Sequence, residues 1–133
     1  MLNKIFIFSL IILNLVITHV YSNEQINFDV TEIEILDGGN IIVGKNRGTI
    51  TTNNGITIEA NEFNFDKLKN IIEAKGDIIV KDQINNYIFN TQNILYLRNQ
   101  EKIKLIGKSE ALIDKNYKFS SRDIILLRNE MII

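Results

Sequence analysis

From Asn23 onward, apolar and polar residues alternate with a period of two, the pattern of strands that bury one face. Ile72, Ala74, Gly76, Ile78 and Val80 share one parity, and Glu73, Lys75, Asp77, Ile79 and Lys81 share the other. Ile103, Leu105, Gly107, Ser109, Ala111 and Ile113 repeat the arrangement, with Lys102, Lys104, Lys108 and Glu110 between them. One face is apolar and the other largely charged, which predicts sheet packed on one side and wet on the other. Turn-forming clusters punctuate the alternation at Asp37-Gly38-Gly39-Asn40, Asn53-Asn54-Gly55, Asp66 to Asn70, Asn85-Asn86, Arg98 to Glu101, Asp114 to Asn116 and Arg128-Asn129. They predict about eight strands and no amphipathic helix.

The strands fall into repeating units. Segments starting at Phe28, Ile58, Phe89 and Phe119 align with one another, about 30 residues apart, and each is followed by a turn. After the first three, a second strand is centred on a glycine: Gly48, Gly76 and Gly107. Each first strand keeps its apolar parity and then breaks it by a step of three: Val30 to Ile33, Ala60 to Phe63, Thr91 to Ile94 and Ser121 to Ile124. Such a step keeps the apolar face inward only if the strand bends or bulges there. A bend at the same place in every unit predicts stacked, curved strands that share one core, with the glycines at bends or close backbone approaches.

The N-terminus departs from this pattern. Lys4 is its one charge, an apolar run extends from Ile5 to Ile17, and Val20-Tyr21-Ser22 offers a cleavage site before Asn23. This is the layout of a secretory signal peptide over residues 1–22. The run is short for a membrane span of about 20 residues. The expected domain is therefore 23–133, outside the cytoplasm. An uncleaved inner-membrane anchor is the alternative.

Composition narrows the chemistry. The 133 residues suffice for one domain, 45% are apolar, and the formal net charge is -1. Lys and Arg are scattered, with no basic stripe for a nucleic acid. There is no Cys, which removes disulfides and thiolate metal sites. His19, the sole histidine, lies in the leader, so no imidazole remains for acid–base work. Asp66 with Asp77, or Glu59 with Glu62, stand in turns or on the polar parity, where solvated charges belong. Asp37, Asp114 and Asp123 have no metal-loop pattern behind them. Lys102, Lys104 and Lys108 read as a solvated strand face. No enzyme, cofactor or metal is expected.

The repeat carries a resemblance. Ile58-Glu59-Ala60, the aromatic-Asp turn Phe65-Asp66, and Ile72-Glu73-Ala74-Lys75-Gly76-Asp77-Ile78-Ile79-Val80 together resemble the OstA-like family of lipopolysaccharide transport. Asp77 and Ile78 replace the Asn and Val of that family's "A-x-G-N-V" strand. The likeness spans residues 28–133. The opening Phe28-Asp29-Val30-Thr31-Glu32-Ile33-Glu34-Ile35 and the closing Leu126-Leu127-Arg128-Asn129-Glu130 look most like the N-terminal periplasmic domain of LptD, alongside LptA and LptC in the same family.

The resemblance implies an all-β, open and twisted β-jellyroll whose V-shaped apolar interior holds lipid acyl chains. It implies lipopolysaccharide and other OstA-like domains as partners, the latter through edge-strand pairing, in the periplasm or at the outer membrane. An LptD also carries a C-terminal outer-membrane barrel; the sequence here stops at Met131-Ile132-Ile133, inside an apolar run of the fourth unit, and reads as a truncated product or a stand-alone domain. Candidate groove residues are Val30, Ile35, Ile58, Ala60, Phe63, Phe65, Ile72, Ala74, Ile78, Phe89, Ile94, Tyr96, Leu105 and Phe119. The rival readings are a structural or adhesive β-solenoid without lipid, and an LptC-like anchored bridge component.

Overall fold

The computed structural model describes residues 25–128. The predicted leader and the last five residues lie outside the described part. Ten strands form one antiparallel sheet. They are β1 (Ile26–Leu36), β2 (Ile41–Thr52), β3 (Ile56–Ala60), β4 (Glu62–Asp66), β5 (Ile71–Asp82), β6 (Tyr87–Leu97), β7 (Lys102–Ile106), β8 (Ser109–Ile113), β9 (Tyr117–Ser121) and β10 (Ile124–Leu127). β3 leads into β4 through Asn61, β7 into β8 across Gly107 and Lys108, and β9 into β10 across Arg122 and Asp123. The described residues thus make seven antiparallel passes, three of them broken near the middle into two strands and two of the continuous ones bulged there. The eighth predicted strand would fall beyond Arg128, outside the described residues.

The breaks divide the sheet in two. Half-sheet I holds the first part of β1, the last part of β2, β3, the last part of β5, the first part of β6, β8 and β9. Half-sheet II holds the complementary parts of β1, β2, β5 and β6 with β4, β7 and β10. The line between them is made of bulges. β2 spends an extra residue opposite Thr31, where Asn46 and Arg47 both adopt positive φ. β5 does the same opposite Gln92, where Gly76 has φ 80° and Asp77 φ 43°. A positive-φ bulge re-aims the chain sharply, so each half-sheet turns its apolar face toward the other.

Gly48 and Gly76 show why small residues stand on this line. A Cβ on Gly48 would lie 2.3 Å from Val30 Cγ1 and 2.7 Å from the Asp29 carbonyl oxygen. On Gly76 it would meet the Asn61 amide at 2.7 Å, in addition to the strained φ. The outer side of the bulge line is polar: Asn61 N–H donates to Gly76 O at 3.0 Å, Arg47 N–H to Asn61 O at 3.0 Å, and Arg47 Nη1 to Asp77 O at 3.2 Å.

The core sits between the halves. Ile50, Ile56, Ile58, Ala60, Ile72, Val80, Tyr96 and Ile103 are fully buried. Each such aliphatic side chain withdrawn from water contributes about 1.5–3 kcal/mol, which makes this slab the main source of stability. The turns continue the sheet by hooking onto one another: Lys67 N–H donates to Asn40 O, Arg98 N–H to Asn70 O, and Arg128 N–H to Glu101 O.

Candidate functional site

Register places the apolar residues in columns that cross the sheet from edge to edge. In half-sheet I, Phe28, Ile50, Ile58, Val80, Phe89, Ala111 and Phe119 stand opposite one another in turn. In half-sheet II, Ile35, Ile42, Phe65, Ile72, Tyr96, Ile103 and Leu126 do the same. Nearer the bend runs Ile33, Gly44, Phe63, Ala74, Ile94, Leu105 and Ile124. Directly opposed residues in an antiparallel ladder point to the same face. The slot between the halves is therefore apolar along its whole length.

The two halves are offset rather than stacked in register. Phe28 on β1 meets Phe65 on β4, ring centroids 5.9 Å apart. Asn54, between β2 and β3, donates through Nδ2 to the Tyr96 hydroxyl of β6 at 3.1 Å. Asp82 at the end of β5 accepts from Arg128, just past β10. Half-sheet I thus leans over strands further along half-sheet II. The offset leaves one end of each inner face uncovered: β1 in half-sheet II, where Ile33 and Ile35 are exposed, and β9 in half-sheet I, where Tyr117 and Phe119 are exposed.

That geometry sorts the predicted groove residues. Ile58, Ala60, Phe63, Phe65, Ile72, Ala74, Ile78, Phe89, Ile94, Tyr96 and Leu105 are buried together between the halves. Val30 packs against this cluster and is partly buried. Ile35 and Phe119 occupy the expected columns but are 65% and 46% exposed, because each sits in an uncovered end. The sequence pattern identifies the face a residue points to; it does not encode what lies above that face. Ile33 and Tyr117 also stand in these ends, at 49% and 71% exposure.

Sequence reasoning missed a polar cluster at the lips of the slot. Arg128 Nε donates to Asp82 Oδ2 at 2.8 Å, Nη1 to Glu101 Oε2 at 2.8 Å, and Nη2 to the Asn54 carbonyl at 2.7 Å. Asn54 Nδ2 also reaches Glu101 Oε1 at 2.9 Å. The Asp82 side chain is fully buried and that of Arg128 is 6% exposed. Asp82 further accepts from the backbone N–H groups of Ile84 and Asn85, each at 3.1 Å. Burial acts to raise the Asp82 carboxyl pKa, but Arg128 and the Asn85 donors outweigh it and hold the group below the ordinary carboxylate range. Burial likewise pushes the Tyr96 hydroxyl up. A signal was available: Asp82 follows Ile78 and Val80 on the apolar parity, and a carboxylate there needs a buried partner.

The carboxylates considered for chemistry are engaged elsewhere. Asp66 accepts from Lys69 N–H at 3.0 Å and pairs with Lys69 Nζ at 3.3 Å. Glu59 pairs with Lys81 at 2.9 Å. Among the described residues, no group of three or more His, Cys, Asp or Glu is placed to hold a metal. Lys102 and Lys104 lie on the outer face of half-sheet II, opposite Leu97 and Leu95.

No family model matches this chain, and no curated protein matches it. Among solved structures it is similar to the crystal structure of LptH from Pseudomonas aeruginosa, described as the LptA-homologous periplasmic component of the conserved lipopolysaccharide transport device. The TM-score is 0.70 at 15% identity, over 78% of this chain and 76% of that one. The fold is the LptA-like β-jellyroll. The likeness at this identity is one of fold.

Proposed function

We propose that this chain is a non-catalytic, periplasmic lipopolysaccharide-binding domain of a transport bridge, carrying acyl chains in the slot between its half-sheets. The observation that carries this reading is the set of apolar columns that run across all seven passes, with the slot left uncovered at Ile35 on one side and at Phe119 on the other. A closed storage core would seal its ends. A track that hands lipid from one domain to the next must leave them open. The jellyroll shared with LptH supports the same reading. Each methylene kept from water is worth about 0.8 kcal/mol, so acyl chains in such a track need no chemical step to stay off water.

Within this reading, residues 1–22 are an export signal and the domain is the N-terminal part of an LptD-like assembly protein. Neighbouring OstA-like domains dock on the β1 edge and on the β9–β10 edge. Unpaired edges are templates for strand addition.

Photo-crosslinking to lipopolysaccharide tests the proposal. A photoreactive residue at Phe65 or Ile35 should give lipid adducts, and the same residue at Lys75 or Lys104, on the outer face, should give none. Absence of adducts at every position in a folded domain would leave a structural β-repeat without lipid.

A further inference from the structure

The two half-sheets have the parts of a jaw. The bulge line is its hinge, the turns at the far ends of the strands are its lips, and the slot is filled by side chains with almost no exposure. Lipid that is to lie in the covered stretch of the slot must displace that packing, so the lips must part. The contacts that hold the lips together decide how readily this happens.

Those contacts converge on one side chain. Arg128 follows β10 on half-sheet II, where its own N–H is tied to the Glu101 carbonyl at 3.0 Å. Its guanidinium crosses the slot to Asp82 and to the Asn54 carbonyl, both on half-sheet I. Glu101 and Tyr96, from half-sheet II, complete the crossing through Asn54. The hydrogen bonds are short, charged and buried, which makes them directional and costly to leave half made. The anchor is slight by comparison: β10 is four residues long, lies at the sheet edge and pairs with β7 alone.

We propose that Arg128 is a clasp that holds the lips of the slot shut through Asp82, Glu101 and Asn54, and that displacement of the β10 edge releases it to admit lipid. The clasp deepens the transport reading and rests on it. It couples the edge at which a neighbouring domain would dock to the opening of the slot beside it. A β10 drawn outward by pairing with another strand withdraws Arg128 from Asp82, and the lips lose their main cross-link. The Asn54 hydrogen bonds to Tyr96 and Glu101 and the apolar packing beneath are then what remains to oppose opening. With the closed state favoured, the apparent affinity for lipid is reduced by the fraction of molecules open, and removing the clasp raises it by the inverse of that fraction.

The chain has no cysteine, so labels can be placed freely. Spin labels at Ile84→Cys on one lip and Gln100→Cys on the other report the separation by pulsed electron resonance. The wild-type background should give one narrow distance. Arg128→Gln should add a longer, broader population and raise lipopolysaccharide photolabelling at Phe65 about tenfold, with Arg128→Lys intermediate. An unchanged distance distribution in a folded Arg128→Gln protein would overturn the clasp. If Arg128→Gln does not fold, bridging the two cysteines with a short bifunctional reagent carries the test. Bridged protein should lose labelling at Phe65, and labelling equal to that of the unbridged protein would overturn the proposal. Lips that part in Arg128→Gln without any lipid adduct would sustain the clasp and sink the transport reading. Adducts with no dependence on Arg128 or on the bridge would do the reverse.

Discussion

At Asp82 the chain places a carboxylate in a column whose neighbours are Ile56 and Tyr87. An unpaired charge there would be expensive, and Arg128 makes it tolerable. Removing one partner of such a buried pair costs about 3–5 kcal/mol, whereas replacing both with apolar groups of similar volume is close to neutral. Asp82→Ala should therefore lower the urea midpoint sharply, and adding Arg128→Met should recover most of the loss. Equal instability of the single and double variants would contradict this. The sign of the acid response follows from the depressed carboxyl. Its contribution is fully present above the unfolded carboxylate value near 3.9 and is lost as pH falls through the lower folded value. Asp82→Asn should flatten the acid limb of stability below about pH 4 and leave the neutral limb parallel to wild type.

At the scale of the strand, two kinds of bend do the same job, and the sequence marks them by different signals. β1 passes from Val30 to Ile33 on its inner face, a step of three that breaks parity and announces itself. β5 passes from Ala74 to Ile78, a step of four, and an even step leaves the alternation intact. Gly76 shares the inner-face parity, so only its identity as a glycine pointed to a bend, and the structure sets it in the bulge with Asp77. Handedness of the backbone, not hydropathy, is what marks that site. Asp77 sits at φ 43°, where glycine is at ease, so Asp77→Gly should change stability by no more than about 1 kcal/mol. Deleting Asp77 shortens the bulge by one and turns Ile78, Val80 and Asp82 to the outer face. The loss should exceed the roughly 2–5 kcal/mol of a single core truncation, read as a collapsed urea midpoint. Survival of the deletion with a normal midpoint would mean that β5 can re-register.

For the molecule as a whole, the offset of the two half-sheets matters more than either sheet alone, and no local pattern encodes it. Alternation assigned Ile35 and Phe119 to the correct face, and Ile58 to the same kind of position, yet their surroundings differ entirely. Ile58 is covered by the opposing half, whereas Ile35 and Phe119 extend past its edge. A large apolar side chain in a continuous, uncovered column marks a surface that another body covers. If that body is a second OstA-like domain, Ile35→Lys and Phe119→Lys should weaken its docking about tenfold or more by sedimentation. Their own urea midpoints should stay within about 0.5 kcal/mol of wild type, since water already reaches both sites. Ile58→Lys, in contrast, should unfold the domain outright. The pairing of these outcomes is what discriminates. Loss of stability at Ile35 and Phe119 comparable to that at Ile58 would mean that the ends of the slot are part of a closed core, and the case for an open track would fall with it.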